Sequence, residues 1–248
     1  MSPGGAPPAG YVRVTAGRCS AVACTAHEAD ARALLADGMP HDVAARDLAA
    51  RPLAGRGVAY AVRLPVTDTP VVVRRNRHGG LLAPLTRDLF LPPTRAPHEL
   101  AASRRLEEAG VRTPPLLLYA VQRAAGGLLR RADVVTLAIA HSRDLATFML
   151  PGEPAPSRAA AWRAARALVQ SLDRCGARHA DLNVKNILLA GEGTSLVAWV
   201  LDVDRVHFTT LARARAGNGA RLLRSARKWR DERGAELDER TAFGPLGD

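Results

Sequence analysis

Aromatic residues make up only 4% of this 248-residue chain: three Trp, three Tyr and four Phe. Proteins that hold single-stranded nucleic acid stack its bases on such rings, so their scarcity argues against that function. It also means that the core must be built from Leu, Val and Ala. Cysteine is sparse as well. Cys19, Cys24 and Cys175 are odd in number and form no CxxC pair, which argues against a disulfide framework and a zinc site. No uninterrupted apolar run is long enough to cross a bilayer, and Met1–Gly10 lacks the basic start and apolar middle of a signal peptide, so a cytoplasmic protein is expected. Lysine is nearly missing, with only Lys185 and Lys228 among 35 basic residues.

Arginine takes its place. The 35 basic residues outweigh 24 acidic ones, giving a net charge of +11, which favours an anionic partner: nucleic acid, an acidic membrane surface or a phosphorylated substrate. A chain-wide bias toward Arg and Ala would produce the same excess, and net charge alone does not choose among partners. The length and an apolar fraction of 47% suit one bilobal domain or two small ones with a sizeable core. Residues 1–10, rich in Gly, Pro and Ala, read as a disordered N-terminus.

Chemistry concentrates in one stretch. His179-Ala180-Asp181-Leu182-Asn183-Val184-Lys185-Asn186 leads into Ile187-Leu188-Leu189, and Leu196–Leu201 ends at Asp202-Val203-Asp204-Arg205. The two apolar runs flank a turn-rich segment and read as an antiparallel hairpin. Such a hairpin returns Asp202 to the end of the ladder where Asn186 begins it, so a metal could sit between them, with Asp181 in the preceding loop. Phosphoryl transfer from a nucleotide needs this set: a carboxylate to receive the acceptor hydroxyl's proton, and an amide and a second carboxylate for Mg²⁺. These residues are read as a kinase catalytic centre, with Asp181 as base and Asn186 and Asp202 as metal ligands.

The first half supplies what a kinase needs for its nucleotide. Tyr11–Val14 reads as a strand, with helical patterning around 30–35 and 43–48. Gly55-Arg56-Gly57 precedes a strand over 58–64, and Thr67–Pro70 turns the chain into Val71–Arg75. In protein-kinase-like folds a Gly-rich turn lays backbone N–H groups over the phosphates, and a cation on the following strand pairs the α- and β-phosphates. That cation is normally Lys. With no Lys in this half the role falls to Arg74, favoured over Arg75 by register, and Glu99 in the first turn of a helix ending at Gly110 could hold it. A Glu there could equally serve as a favourable charge near a helix N-terminus. Strands over 116–121 and 128–138, a hinge at 138–142, a loop at 151–156, and a long helix capped by Ser157 and ended by Gly176 complete the pattern. The basic segment after Arg205, with Leu211, Leu222, Leu223 and Trp229, reads as an amphipathic helix: a solvated outer helix or a surface for acidic lipids. The fold expected is α+β and protein-kinase-like. It has a small antiparallel-sheet N-lobe with one helix over 11–140, which binds the nucleotide, and a mainly helical catalytic C-lobe over 141–248.

Gly55-Arg56-Gly57, Val73-Arg74, Arg77-His78-Gly79-Gly80, Arg95 with Glu99, the His179–Leu189 string, Asp202-Val203-Asp204-Arg205 and Leu222–Lys228 together resemble the 3-deoxy-D-manno-octulosonic acid (Kdo) kinase family of Gram-negative bacteria, from about residue 50 to 230. The resemblance implies ATP-dependent phosphorylation of O-4 of Kdo on Kdo-lipid A at the cytoplasmic face of the inner membrane, with no nucleic-acid partner. It implies Asp181 as base, Asn186 and Asp202 as Mg²⁺ ligands, and Gly55, Gly57, Arg74 and Glu99 for ATP. His179, Asn183, Lys185, Asp204 and Arg205 would shape the site. Val203 stands where Phe is usual and Asn76 where an aromatic is common. Two rival readings remain: a kinase of this fold acting on a heptose, a choline-like alcohol or an aminoglycoside, or a silent basic binding module.

Overall fold

A computed structural model describes residues 5–53, 58–76, 88–193, 195–239 and 242. Gly55 and Gly57, together with Arg77–Gly80, lie outside the described residues. Two compact units divide the chain: Met1–Leu100 with Pro115–Ala138, and Ala101–Pro114 with Ile139–Asp248.

In the first unit the described residues form a seven-stranded antiparallel sheet in the order β1-β2-β6-β7-β5-β4-β3. Its strands are β1 (Tyr11–Ala16), β2 (Cys19–Cys24), β3 (Arg51–Leu53), β4 (Ala59–Arg63), β5 (Pro70–Arg75), β6 (Leu116–Ala124) and β7 (Leu129–Leu137). The period-2 alternation of strands sends successive side chains to opposite faces. Val71, Val73, Leu118, Ala120 and Val135 therefore share one core with helices α1 (Glu28–Asp37) and α2 (Pro40–Ala44). Tyr119, Ala132 and Val134 share the other core with Ala96 and Leu100 of α3 (Ala96–Glu108).

This unit is larger than one sheet and one helix. The α1–α2 pair adds to it, and β2 and β3 were not legible in the chain. β2, Cys-Ser-Ala-Val-Ala-Cys, has small residues where a strand usually shows bulky alternation. The helical pattern expected over 43–48 is displaced: Pro40 starts α2 early, the helix stops at Ala44, and Leu48 is fully exposed.

Among the described residues the second unit is built on α4 (Leu145–Phe148), α5 (Ala155–Arg174) and α6 (Leu211–Arg233) with five short strands. β10 (Ile187–Ala190) lies between β11 (Val197–Val200) and β8 (Arg143–Asp144), and β9 (Ala177–His179) pairs with β12 (Val206–Phe208). One core gathers Trp162, Leu168 and Leu172 of α5, Ile187 and Leu189 of β10, and Leu222 of α6. Ser157 does not cap α5. The helix begins two residues earlier, with Pro154 at the cap and Pro156 in the first turn, where a missing N–H costs nothing. Gly176 follows the helix with φ 69°, and a Cβ there would meet the Thr209 carbonyl at 2.5 Å. Only Gly allows the tight return into β9. On α6 the buried stripe is Ala214, Asn218, Leu222 and Ala226, while Leu211 is exposed.

Candidate active site

The hairpin expected from the sequence is present, with Ile187 opposite Val200 and Leu188 opposite Trp199. Its turn includes Gly191 at φ 118°, where a Cβ would strike the Ser195 carbonyl. Leu201 N–H donates to the Asn186 carbonyl at 2.9 Å, extending the ladder by one rung, so Asn186 and Asp202 come to the same end.

A closed ring of hydrogen bonds joins Asp181, Asn186 and Leu201, the residue before Asp202. Asp181 N–H donates to His179 Nδ1 at 3.1 Å, and His179 Nε2 donates to the Leu201 carbonyl at 2.9 Å. Leu201 N–H reaches Asn186, and Asn186 Nδ2 donates to the Asp181 carbonyl at 2.9 Å. Asn183 adds a second donor to that carbonyl, and its Oδ1 accepts from the Lys185 and Asn186 N–H groups. Leu182 and Val184 are buried between these polar residues and pin the loop to the core. The loop is thus rigid on both sides of a half-buried Asp181.

His179 is fully buried. Its tautomer follows from its neighbours: a carbonyl can only accept, so Nε2 carries the proton, and Nδ1 must be a lone pair toward Asp181 N–H. Burial depresses its pKa, against the pull of the Leu201 bond and the carboxylates of Asp202 and Asp181. Since the folded pKa lies below the unfolded value of about 6.5, the neutral form stabilises the fold above that pH, and the benefit drains away as pH falls toward the folded pKa. Wild type should lose stability in urea below pH 6.5, with a steeper slope than a His179→Gln variant; equal slopes would remove His179 from this role.

The ring rests on α6. Asn218, fully buried, accepts from His179 N–H at 2.9 Å and donates to Asp173 Oδ1 and the Ala177 carbonyl, both at 2.8 Å. Ser225 Oγ accepts from Val184 N–H. Sequence reasoning passed over both. A signal existed for Asn218: it is the one polar member of the 214–218–222–226 stripe, and a buried helical Asn must have partners.

Asn186 and Asp202 suit a hard cation. The Asn186 amide spends its nitrogen on Asp181, and its Oδ1 accepts no hydrogen bond among the described residues. The Asp202 carboxylate is exposed and makes no ion pair or side-chain hydrogen bond among them. Two oxygen donors, one charged, fit the needs of Mg²⁺, which keeps most of its waters and takes one or two protein ligands. Asp202 also sits in the left-handed region, φ 53° and ψ 47°, a conformation Asp tolerates better than most residues.

The other expected residues are distributed unevenly. Lys185 turns to Asp144, Nζ to Oδ2 at 2.6 Å, and so ties the loop to the N-cap of α4. Arg205 pairs with Asp204 at 3.5 Å, and its carbonyl accepts from Ala180 N–H. In the first unit Arg74 forms an ion pair with Glu99, which is buried. The pleat explains this choice of Arg: Arg74 faces Glu99 of α3, whereas Arg75 shares the α1–α2 face with Val71 and Val73 and meets Asp42 and Asp133 there.

The sequence model of the lipopolysaccharide kinase (Kdo/WaaP) family matches residues 46–239. The chain belongs to this family. Among curated relatives, a 3-deoxy-D-manno-octulosonic acid kinase of Vibrio vulnificus (strain YJ016) is 30% identical over 182 residues, 71% of this chain and 72% of the relative. One of Stenotrophomonas maltophilia (strain K279a) is 35% identical over 171 residues, 66% and 65% of the two chains. A solved structure, WaaP in complex with acyl carrier protein, aligns with TM-score 0.52 and 23% identity over 86% of this chain and 85% of that one, a likeness of fold. The protein is thus a lipopolysaccharide kinase of protein-kinase-like fold, an ATP-dependent phosphotransferase.

Proposed function

We propose that this kinase phosphorylates O-4 of a Kdo sugar on Kdo-lipid A, using ATP and Mg²⁺, at the cytoplasmic face of the inner membrane. The observation that carries the reading is the hydrogen-bonded ring that joins Asp181, Asn186 and Leu201-Asp202. The acceptor is argued from relatives that bear the Kdo kinase name at 30–35% identity.

In this mechanism Asp181 accepts the proton of the attacking sugar hydroxyl, held in place by bonds through its own backbone. Arg74, fixed by Glu99, pairs the α- and β-phosphates with a delocalised charge that never deprotonates, so it serves where Lys is usual. Gly55 and Gly57 are assigned to the ATP phosphates. Asn186 and Asp202 would hold Mg²⁺, which when bound neutralises charge developing on the transferred group. His179 and Asn183 position the loop without touching substrate. Residues 11–140 serve as the nucleotide-binding lobe and 141–248 as the catalytic lobe.

Membrane contact falls to α6. Between Asp204 and Asp231 the chain has no acidic residue, while Arg213, Arg224 and Lys228 project within about 60° of one another on the helix side away from its buried stripe. An anionic lipid surface gains about 1 kcal/mol per such cation. Among the described residues no helix is long and apolar enough to cross a membrane, and the contact proposed is peripheral.

Mass spectrometry of Kdo-lipid A incubated with the purified protein, ATP and Mg²⁺ tests the acceptor. A gain of one phosphate is expected. ATP turnover with no gain would move the acceptor to another sugar of the lipopolysaccharide core.

A further inference from the structure

The family match begins at residue 46, and α1 and α2 precede it. These helices hold the β4–β5 hairpin at both ends. At its turn, the fully buried Asp30 accepts from the N–H groups of Val66 and Thr67 at 2.8 and 3.0 Å, and from Thr67 Oγ1 at 2.8 Å. Burial works against its ionisation, but these donors and His27 keep the carboxyl below the usual range.

At the open end, His41 Nε2 donates to the Val58 carbonyl at 3.0 Å, and the ring meets Tyr60 edge-on at 5.1 Å. His41 N–H donates to Asp133 Oδ2 at 2.9 Å. Asp42 and Asp133 both hold Arg75, each at 2.9 Å. Val58 is the first described residue after Gly57, and Arg75 adjoins Arg74. The hairpin needs such support, because among the described residues β4 has only the three-residue β3 beyond it at the sheet edge.

We propose that the α1–α2 segment is a clamp that fixes the nucleotide hairpin, with His41 as a positioning residue for ATP. His41 fixes Val58 at the start of β4, and Asp42 and Asp133, through Arg75, set where β5 presents Arg74. The clamp rests on the assignment of this hairpin to the nucleotide. Nδ1 of His41 makes no hydrogen bond among the described residues, so the Nε2 donor is the whole polar contribution of the ring, and Gln can reproduce it.

The test compares wild type with Arg74→Ala, His41→Leu and His41→Gln by ATP titration calorimetry and by initial rates at varied ATP and varied acceptor. His41→Leu should weaken ATP binding about three- to tenfold, the worth of a net hydrogen bond, and leave the acceptor KM unchanged. His41→Gln should return to within about twofold of wild type. A merely structural role would instead lower the melting temperature and move both substrate constants together. ATP binding unchanged in His41→Leu but weakened in Arg74→Ala would overturn the clamp alone. ATP binding unchanged in both would overturn the nucleotide assignment and the clamp with it. Should His41→Leu fail to fold, Asp42→Asn takes its place: weaker ATP binding supports the clamp and unchanged binding overturns it.

Discussion

An Asp181→Asn variant should bind ATP within about twofold of wild type and turn over about 10²- to 10⁴-fold more slowly, the range for loss of a general base. The substitution is well suited to the question because the ring around Asp181 uses its backbone. His179 Nδ1 accepts from its N–H, and Asn183 and Asn186 donate to its carbonyl. Asn at this position keeps all three bonds and the shape of the side chain while removing its charge and basicity. Stability should therefore stay level, so that a loss of rate reports chemistry. Steady-state kinetics with a melting curve on the same sample checks it. A kcat within tenfold of wild type at equal melting temperature would remove Asp181 as the base and leave phosphoryl transfer to positioning and charge alone.

The contrast between what the chain announced and what it concealed has a physical pattern. The β10–β11 hairpin was legible because two apolar runs flank a Gly-rich turn, and a two-residue period leaves little freedom in where Asn186 and Asp202 end up. The Arg74–Glu99 pair was legible for a similar reason: the pleat fixes which Arg faces α3. Asn218 was not, because its signal is the absence of an apolar residue from a helix stripe whose other members are mostly Ala, too small to mark a buried face. β2 was hidden by the same shortage of bulk. The helix pair before residue 46 was half visible, and its connection to the hairpin was not, since Asp30, His41 and Asp133 meet partners 17 to 92 residues away. Local pattern carries no record of such pairings, and only the folded sheet brings them together.

Asp202 carries the second large effect, and its backbone makes the prediction separable from folding. The left-handed φ of 53° disfavours most residues by about 1–2 kcal/mol, but Asn visits that region readily. Asp202→Asn should accordingly melt at the wild-type temperature, whereas Asp202→Ala should melt lower from strain alone. Both remove the charged oxygen beside Asn186, and a hard divalent cation loses most when a carboxylate is taken away. The Mg²⁺ concentration for half-maximal rate should rise by about tenfold or more in Asp202→Asn, with part of the rate restored at high Mg²⁺. Asn186→Ala should shift the same midpoint less, because it removes a neutral donor, although it also breaks the bond from Nδ2 to the Asp181 carbonyl and so lowers the saturated rate. A magnesium titration of the three variants distinguishes these cases. Unchanged midpoints would place the metal elsewhere and reduce the exposed Asp202 to a turn residue. A shift in Asp202→Asn without loss of stability would mean that the left-handed backbone at this position serves to display a carboxylate that has no partner among the described residues.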